Sequence, residues 1–166
     1  YIMRITLPDP VGFAECFAAV TGVKVIPEIM GITTDSRDVK PEDLYIALSG
    51  RRTDGHNFVP AVELEGCSAA LVSDVQKECK TIQQIKVDDP LITIGQTAKL
   101  WRENVNIPVF GITGTNGKTS TKELIKHVLS ENMNVHATEG NYNTSIGVPL
   151  TMLTMTSSHE ISILEL

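Results

Sequence analysis

A glycine-rich stretch between a strand pattern and a helix pattern constrains this chain more than any other feature. It reads G-I-T-G-T-N-G-K-T over residues 111–119, after an apolar segment at 109–113 and overlapping the start of a helical pattern at 118–130. Gly114 and Gly117 allow the backbone to curl, so that exposed N–H groups and the N-terminus of the helix face an anion. The stretch therefore predicts a strand, loop and helix unit that binds a polyphosphate.

The loop departs from the generic phosphate-loop pattern at one position. That pattern needs a glycine five residues before Gly117, where this chain has Ile112. The alternative is a glycine turn with an incidental surface Lys-Thr pair, but the order of strand, loop, Lys-Thr and helix favours nucleotide binding. Lys118 is then expected to meet the β- and γ-phosphates, and the Thr119 hydroxyl to ligate Mg²⁺. The predicted nucleotide contacts are Gly114, Thr115, Asn116, Gly117, Lys118, Thr119 and Ser120.

Apolar periodicity along the rest of the chain predicts an α/β fold. Helices are predicted at 9–20, 57–65 and 90–104, with a loop and helix through 151. Strands are predicted at 31–34, 44–48, 69–72, 82–87, 135–137 and 161–166. Asn57 and the pair Asp88 and Asp89 are typical helix starts, whereas Gly22 and Gly66 are typical helix stops.

The order of these elements changes near Asn106. We expect a small α/β domain over residues 1–106, followed at 107–166 by the start of a P-loop domain with a parallel sheet. Two or three strands are too few for a parallel sheet covered on both faces, so we expect the chain to be part of a longer protein. Apolar edges and faces of the second part should then be exposed.

Composition excludes several classes of protein. With 42% hydrophobic residues, 20% charged residues and a net charge of −6, the chain is globular and lacks the basic surface of a nucleic-acid-binding protein. Its apolar runs are far shorter than the roughly 18 residues that span a bilayer. Three cysteines without C-x-x-C spacing indicate neither disulfides nor zinc and favour a cytoplasmic protein. His127, His136 and His159 form no metal-site pattern and are interpreted as structural.

Five segments carry a resemblance to one family. The loop G-T-N-G-K-T-S at 114–120 resembles that of the Mur ligases, ATP-dependent enzymes of peptidoglycan precursor synthesis, and of the related folylpolyglutamate synthetases. The stretch T-E-G-N-Y-N-T-S-I-G-V-P-L-T at 138–151 is similar to the segment found in one branch of the Mur ligases. Residues 34–48 and 53–58 resemble the family's UDP-binding domain, and I-L-E-L at 163–166 resembles the strand before its E-L-G segment.

The resemblance implies a reaction and its substrates. In this branch, ATP and Mg²⁺ convert the carboxylate of UDP-N-acetylmuramoyl-tripeptide to an acyl phosphate, which the amine of D-alanyl-D-alanine attacks. It implies catalytic roles for Lys118 and Thr119, and a metal site formed by Thr119 and Glu165. The substrate contacts it implies are Ser36, Arg37, Gly55, His56, Asn57, Phe58, Asn141 and Asn143. Without the family's remaining domains, this chain alone is expected to be inactive.

Each of these residues has a structural alternative. Ser36 and Arg37 could belong to a solvated turn, Asn141 and Asn143 to another turn, and Glu165 to a solvated strand end. Asn57 could cap a helix and Phe58 could pack in the core, whereas His56 suits hydrogen bonding or stacking. Thr144 stands where the family has a second asparagine.

Two other functions remain open at this point. The first is the Mur ligase branch that adds the third residue of the stem peptide, which usually carries a T-T-P segment in place of the 140–143 stretch. The second is a non-catalytic nucleotide-binding protein that kept the loop. A kinase-like P-loop protein fits less well, because Ile112 matches the Mur variant of the loop.

Overall fold

The structure is a computed structural model that describes residues 3–50 and 53–166. The chain divides into two compact units, Tyr1–Thr97 and Ala98–Leu166, and the division falls inside a helix. The domain boundary predicted at residue 106 lies just after the end of that helix. The division of tasks between residues 1–106 and 107–166 stays a prediction. Within the described part of the chain, no helix combines the length and the apolar character needed to cross a membrane.

The first unit is built on a five-stranded sheet. Its strands are β1 (Arg4–Thr6), β2 (Gly31–Thr33), β3 (Asp43–Ile46), β4 (Ala69–Val72) and β5 (Gln83–Lys86), in the spatial order β1-β2-β3-β4-β5. Neighbours from β2 to β5 run parallel, and β1 is antiparallel to β2. Sequence patterns predicted the four parallel strands but not β1, whose three residues are too few to show an alternation.

An ion pair joins β1, the strand that was not predicted, to β3. The Arg4 guanidinium donates from Nε and Nη2 to the two carboxylate oxygens of Asp43, at 2.8 Å each. Asp43 is fully buried, and a bidentate pair satisfies a buried carboxylate better than a single contact does. Gly31 leaves the space for this pair, since a Cβ there would lie 2.6 Å from Arg4 Nη2.

Two helices begin and end as the sequence predicts. Helix α1 (Pro10–Thr21) is capped by Asp9, whose carboxylate accepts the Gly12 N–H at 2.9 Å, and it ends at Gly22 with φ of +72°. Helix α3 (Pro90–Val105) is capped by Asp89, which accepts two backbone N–H groups at 2.7 and 3.1 Å.

The prediction that Asn57 caps a helix is wrong. A 3₁₀ turn, Gly55–Phe58, precedes helix α2 (Val59–Leu64), and the cap is Asp54, whose carboxylate accepts the His56 N–H at 3.0 Å. Asn57 lies inside the turn, so its side chain is exposed and does not cap it.

The second unit is a three-stranded parallel sheet with helices. Its strands are β6 (Val109–Ile112), β7 (Val135–Ala137) and β8 (Ile161–Glu165), in the spatial order β6-β8-β7, and its other helices are α4 (Lys118–Leu129) and α5 (Gly147–Leu153). Ile112 pairs with Glu165 and Ala137 with Ile163. The carboxyl ends of all three strands therefore meet at one edge of the sheet, where α/β folds place their ligands.

Burial across this sheet is uneven. Every residue of the central strand β8 is buried, whereas Phe110 on the outer strand β6 is 56% exposed. Leu124 and Val128 of helix α4 are also exposed. The predicted exposure of apolar groups in the second unit is confirmed.

Candidate functional site

The glycine loop lies between β6 and α4 and has the backbone that an anion site needs. Gly114 has φ of +149° and Gly117 has φ of +76°, conformations that residues with a Cβ rarely adopt. Gly117 is the N-cap residue of α4, and no described side chain caps the first amides of this helix. These N–H groups, at the positive end of the helix dipole, remain available to a phosphate.

Polar side chains surround the same loop. The ammonium of Lys118 donates to the carbonyl oxygen of Gly114 at 2.8 Å, which holds the positive charge over the loop. Thr115, Asn116 and Ser120 are exposed. The predicted nucleotide contacts are thus grouped at one accessible surface next to the carboxyl ends of the strands.

Three residues from distant parts of the sequence meet beside the loop. The Thr119 hydroxyl donates to the Glu165 carboxylate, 3.0 Å from each oxygen, and Asn143 Nδ2 donates to Glu165 Oε1 at 2.8 Å. Glu165 is 2% exposed and so is not a solvated strand end. Asn141, by contrast, is exposed in the same loop and takes no part in the contacts to Glu165 found in the described residues.

The chemistry of this cluster suits Mg²⁺. A hydroxyl and a carboxylate are oxygen ligands of the type that the ion prefers. The hydrogen-bond donors to the Glu165 carboxylate in the described structure, Thr119 and Asn143, are neutral groups. A buried carboxylate is costly without a positive partner, and a divalent cation would supply the missing charge. The residues present therefore fit the ion that the sequence implied.

The loop after β7 is shaped by one glycine. A Cβ at Gly147 would lie 2.6 Å from the carbonyl carbon of Tyr142, so the segment 139–146 folds tightly against the start of α5. The Thr144 hydroxyl accepts the Gly147 N–H at 3.0 Å. Threonine at this position, where the family has asparagine, thus helps to close the loop that carries Asn143.

A second candidate site lies in the first unit, in a cavity of about 440 Å³. It is lined by Thr34, Asp35, Ser36, Arg37, Tyr45, Leu48, Thr53, Gly55 and Phe58. The Arg37 side chain is 77% exposed and pairs with the Asp35 carboxylate at 2.6 and 2.8 Å. These hydrogen bonds lower the pKa of Asp35 to about 2, which keeps the carboxylate ionised and the guanidinium oriented. An oriented guanidinium at an open cavity suits a diphosphate.

The predicted residues of the 55–58 turn lie in two different places, at the cavity wall and inside the first unit. Gly55 and Phe58 line the cavity, and Phe58 is exposed rather than packed in the core. The His56 ring is buried below the turn: Nδ1 lies 2.6 Å from Asp54 Oδ1, and Nε2 accepts the Ser73 N–H at 3.0 Å. With both ring nitrogens in contact with groups of the first unit, His56 supports the turn from inside and is not one of the residues that line the cavity.

Another histidine is held in a similar way in the second unit. His136 Nδ1 lies 2.8 Å from Ser162 Oγ, and Nε2 lies 2.9 Å from Thr154 Oγ1. Burial and the nearby His159 lower the pKa of His136 to about 4, so the ring is neutral at pH 7. These contacts agree with the structural interpretation of His136.

Known proteins match both the loop and the chain around it. Residues 112–166 match the profile of the Mur ligase middle domain. The chain is 40% identical over 166 residues to the UDP-N-acetylmuramoyl-tripeptide–D-alanyl-D-alanine ligase of Synechocystis sp., a match that covers 98% of this chain and 36% of that protein. It is 41% identical over 139 residues to the Bacillus subtilis enzyme of the same name, covering 83% of this chain and 30% of that one. This chain belongs to the Mur ligase family.

Solved Mur ligase structures share its fold. A crystal structure of MurF from Acinetobacter baumannii superposes with a TM-score of 0.82 at 32% identity, covering 99% of this chain and 36% of that one. MurF ligase from Thermotoga maritima, solved in complex with ADP, has a TM-score of 0.73 at 30% identity over 81% of this chain and 31% of that one. The α/β fold with parallel sheets is confirmed, and this Mur ligase chain spans about a third of the length of these relatives.

Two residues in contact with the candidate site of this Mur ligase chain were not predicted from the sequence. Lys122, buried on α4, donates to the backbone carbonyl oxygen of Thr138 at 2.6 Å. The Thr138 hydroxyl in turn accepts the Glu165 N–H at 2.9 Å. The signal available was the spacing of Lys122, three residues after Thr119, which places both on one face of a helix.

Proposed function

We propose that the full-length protein containing this chain is an ATP-dependent ligase that joins D-alanyl-D-alanine to UDP-N-acetylmuramoyl-tripeptide. The observation that carries the proposal is the contact of Thr119 and Asn143 with Glu165 beside the glycine loop, because it unites the nucleotide motif with the segment typical of this branch. The names of the relatives support the same choice over the branch that adds the third stem-peptide residue.

The proposed reaction assigns a task to each part of the chain. We assign residues 1–106 to the UDP end of the substrate, with Ser36 and Arg37 at the cavity and Gly55 and Phe58 on its wall. We assign residues 107–166 to the N-terminal part of the ATPase domain. His56 and Asn57 act on this cavity through the shape of the turn. Asn141 and Asn143 lie in the loop that follows β7 at the carboxyl edge of the sheet, where the muramoyl-peptide would lie.

The chemistry is a transfer of the γ-phosphoryl group followed by amide formation. The tripeptide carboxylate attacks the γ-phosphorus of ATP and ADP leaves; the D-alanyl-D-alanine amine then attacks the acyl carbon, and phosphate and a proton are released. The loop amides and the Lys118 ammonium stabilise charge on the transferring group. Thr119 and Glu165 would hold Mg²⁺, which supplies further positive charge at the phosphates.

The compartment we propose for this enzyme is the cytoplasm. Cys16, Cys67 and Cys79 form no disulfide within the described part of the chain. Free cysteines without a disulfide are typical of a reducing compartment.

One experiment tests the proposed reaction directly. Release of phosphate from ATP is measured for the full-length protein with UDP-N-acetylmuramoyl-tripeptide, comparing D-alanyl-D-alanine with single amino acids. We expect release with the dipeptide only, and formation of the pentapeptide product. Release with UDP-N-acetylmuramoyl-dipeptide and a single amino acid would identify the other branch, and no release with any acceptor would identify a non-catalytic protein.

A further inference from the structure

Helix α4 carries a buried lysine that the proposed reaction does not use. Lys122 is 1% exposed, and its Nζ atom lies 2.6 Å from the Thr138 carbonyl oxygen and 2.9 Å from Glu123 Oε1. Removing an ammonium from water is costly unless acceptors replace the lost hydration. A buried charge at this point of the helix therefore depends on its hydrogen-bond partners. Among the described residues, the partner that lies outside the helix is Thr138.

Thr138 connects three parts of the second unit. Its N–H donates to the Ile163 carbonyl oxygen at 2.9 Å, and its hydroxyl accepts the Glu165 N–H at 2.9 Å. It also comes directly before the segment 139–146, which carries Asn143. Whatever holds Thr138 in place therefore holds the end of β8 and the start of this segment.

These contacts form a closed ring of hydrogen bonds. The Lys122 ammonium on α4 donates to the Thr138 carbonyl, and the Thr138 hydroxyl accepts the Glu165 N–H. The Glu165 carboxylate accepts from the Thr119 hydroxyl, which returns the path to α4. Lys122 and Thr119 are three positions apart and share one face of the helix. The lysine thus sets the distance between the helix that bears the hydroxyl and the strand that bears the carboxylate.

We propose that Lys122 is a positioning residue for the metal–nucleotide site, acting through Thr138 to hold the Glu165 carboxylate against the Thr119 hydroxyl. The inference rests on the proposed function for the assignment of Thr119 and Glu165 to Mg²⁺. Because its side chain is buried, Lys122 does not touch the nucleotide itself; its effect is confined to the geometry of the groups that do.

The test uses the full-length protein and measures ADP binding by calorimetry with and without Mg²⁺. Lys122→Met removes the charge and the donor but keeps an unbranched side chain. Loss of a residue that orients a metal ligand typically costs about 10- to 100-fold in metal affinity. We expect Mg²⁺-dependent ADP affinity to fall by that factor, with ADP affinity in the absence of metal and UDP affinity unchanged.

The matched control is Lys126→Met, four positions further along α4, because the side-chain donor to the Thr138 carbonyl in the described structure is Lys122 and not Lys126. It should bind ADP as the wild type does, with and without Mg²⁺. Lys122→Arg, which keeps a cationic donor, should recover most of the lost affinity. Thr138→Val removes the hydroxyl that binds Glu165 but keeps the carbonyl group, and its effect should not add to that of Lys122→Met.

Three outcomes separate the hypotheses. In the first, Lys122→Met and Lys126→Met have equal Mg²⁺-dependent ADP affinity while the wild type ligates. This result overturns the positioning role and leaves the proposed function intact. A wild type that neither ligates nor binds ADP more tightly with Mg²⁺ overturns the proposed function itself. If Lys122→Met and Lys122→Arg both lose their folded circular dichroism, Lys122 is a determinant of folding, and the positioning role is rejected.

Discussion

The hydroxyl oxygen of Thr119 lies 3.0 Å from each carboxylate oxygen of Glu165, although the two residues are 46 positions apart. One follows the glycine loop and the other ends the central strand, and the register of β6 with β8 brings them together. A carboxylate and a hydroxyl so placed can share one cation. The pairing links the nucleotide loop to the core strand of the second unit.

The first prediction concerns this carboxylate. Glu165→Gln keeps the size of the side chain but removes its charge, so Mg²⁺ should bind more weakly. We expect the Mg²⁺ concentration that half-saturates phosphate release in the full-length protein to rise about 10-fold or more. Glu131→Gln, an exposed carboxylate after α4, is the control and should leave that concentration unchanged. An unaltered Mg²⁺ requirement in Glu165→Gln would contradict the metal assignment.

The second prediction concerns the lysine over the loop. Lys118→Ala removes the one side-chain ammonium that contacts the glycine loop in the described structure. Loss of a donor that stabilises transition-state charge typically costs on the order of 10²–10³-fold in rate. Steady-state turnover should fall by that factor, whereas Lys126→Ala on the same helix should retain the wild-type rate. Turnover near wild type in Lys118→Ala would refute the loop assignment.

The third prediction concerns the cavity of the first unit. Arg37→Ala should weaken UDP binding by about 10- to 100-fold, because a hydrogen bond to a charged group contributes about 1.5–3 kcal/mol. Titration calorimetry with UDP measures the change. Lys77→Ala, an exposed cation of the same unit outside the cavity lining, controls for loss of general positive charge. If both variants bind UDP equally well, the cavity is not the UDP site.

The fourth prediction is a pH dependence of stability. The pKa of His136 is about 4 in the folded protein, against about 6.5 in an unfolded chain. The unfolded chain therefore binds more protons between these values, and the free energy of unfolding should fall as pH falls from about 6.5 towards 4. The loss should approach about 3 kcal/mol, because one pKa unit corresponds to about 1.4 kcal/mol.

Urea unfolding of the wild type and of His136→Asn, measured between pH 4 and 7, checks this sign. The variant should show a flatter profile, and His127→Asn, an exposed histidine of α4, should keep the wild-type slope. The same slope in all three proteins would show that His136 does not cause the pH dependence.

The fifth prediction compares two glycines. Gly147→Ala would place a Cβ 2.6 Å from the Tyr142 carbonyl carbon, whereas Gly95→Ala on α3 meets no heavy atom within 4 Å. Overpacking of this kind typically costs about 1–3 kcal/mol. Alanine in place of glycine in a helix typically contributes about 0.5–1 kcal/mol. Thermal unfolding should therefore show a lower Tm for Gly147→Ala and a slightly higher Tm for Gly95→Ala.

Local patterns predicted the elements whose signals are local. Gly22 and Asp89 mark helix ends where the structure has them, because capping needs only neighbouring residues. Strand β1 was missed, since its three residues are too few to show an alternation and its partners, β2 and the Asp43 carboxylate, are distant in sequence. No pattern within a few residues of Arg4 contains that information.

The candidate site also contains some features that consecutive residues encode and others that depend on residues far apart in sequence. The glycine loop could be predicted, because its conformation is encoded in consecutive residues. The contact of Asn143 with Glu165 could be anticipated only from the shared edge of a parallel sheet. The burial of Lys122 and the support of the turn by His56 depend on the packing of elements far apart in sequence, so both escaped prediction.

The two hydrogen-bonded nitrogens of His56 have a consequence for the thermodynamics of binding. Contacts to Asp54 and to the Ser73 N–H fix the 55–58 turn on the end of β4 in the ligand-free protein. The conformational entropy of this wall of the cavity is thus lost during folding rather than during association. A nucleotide that enters the cavity meets a preorganised turn, and its binding entropy should carry little penalty from that segment.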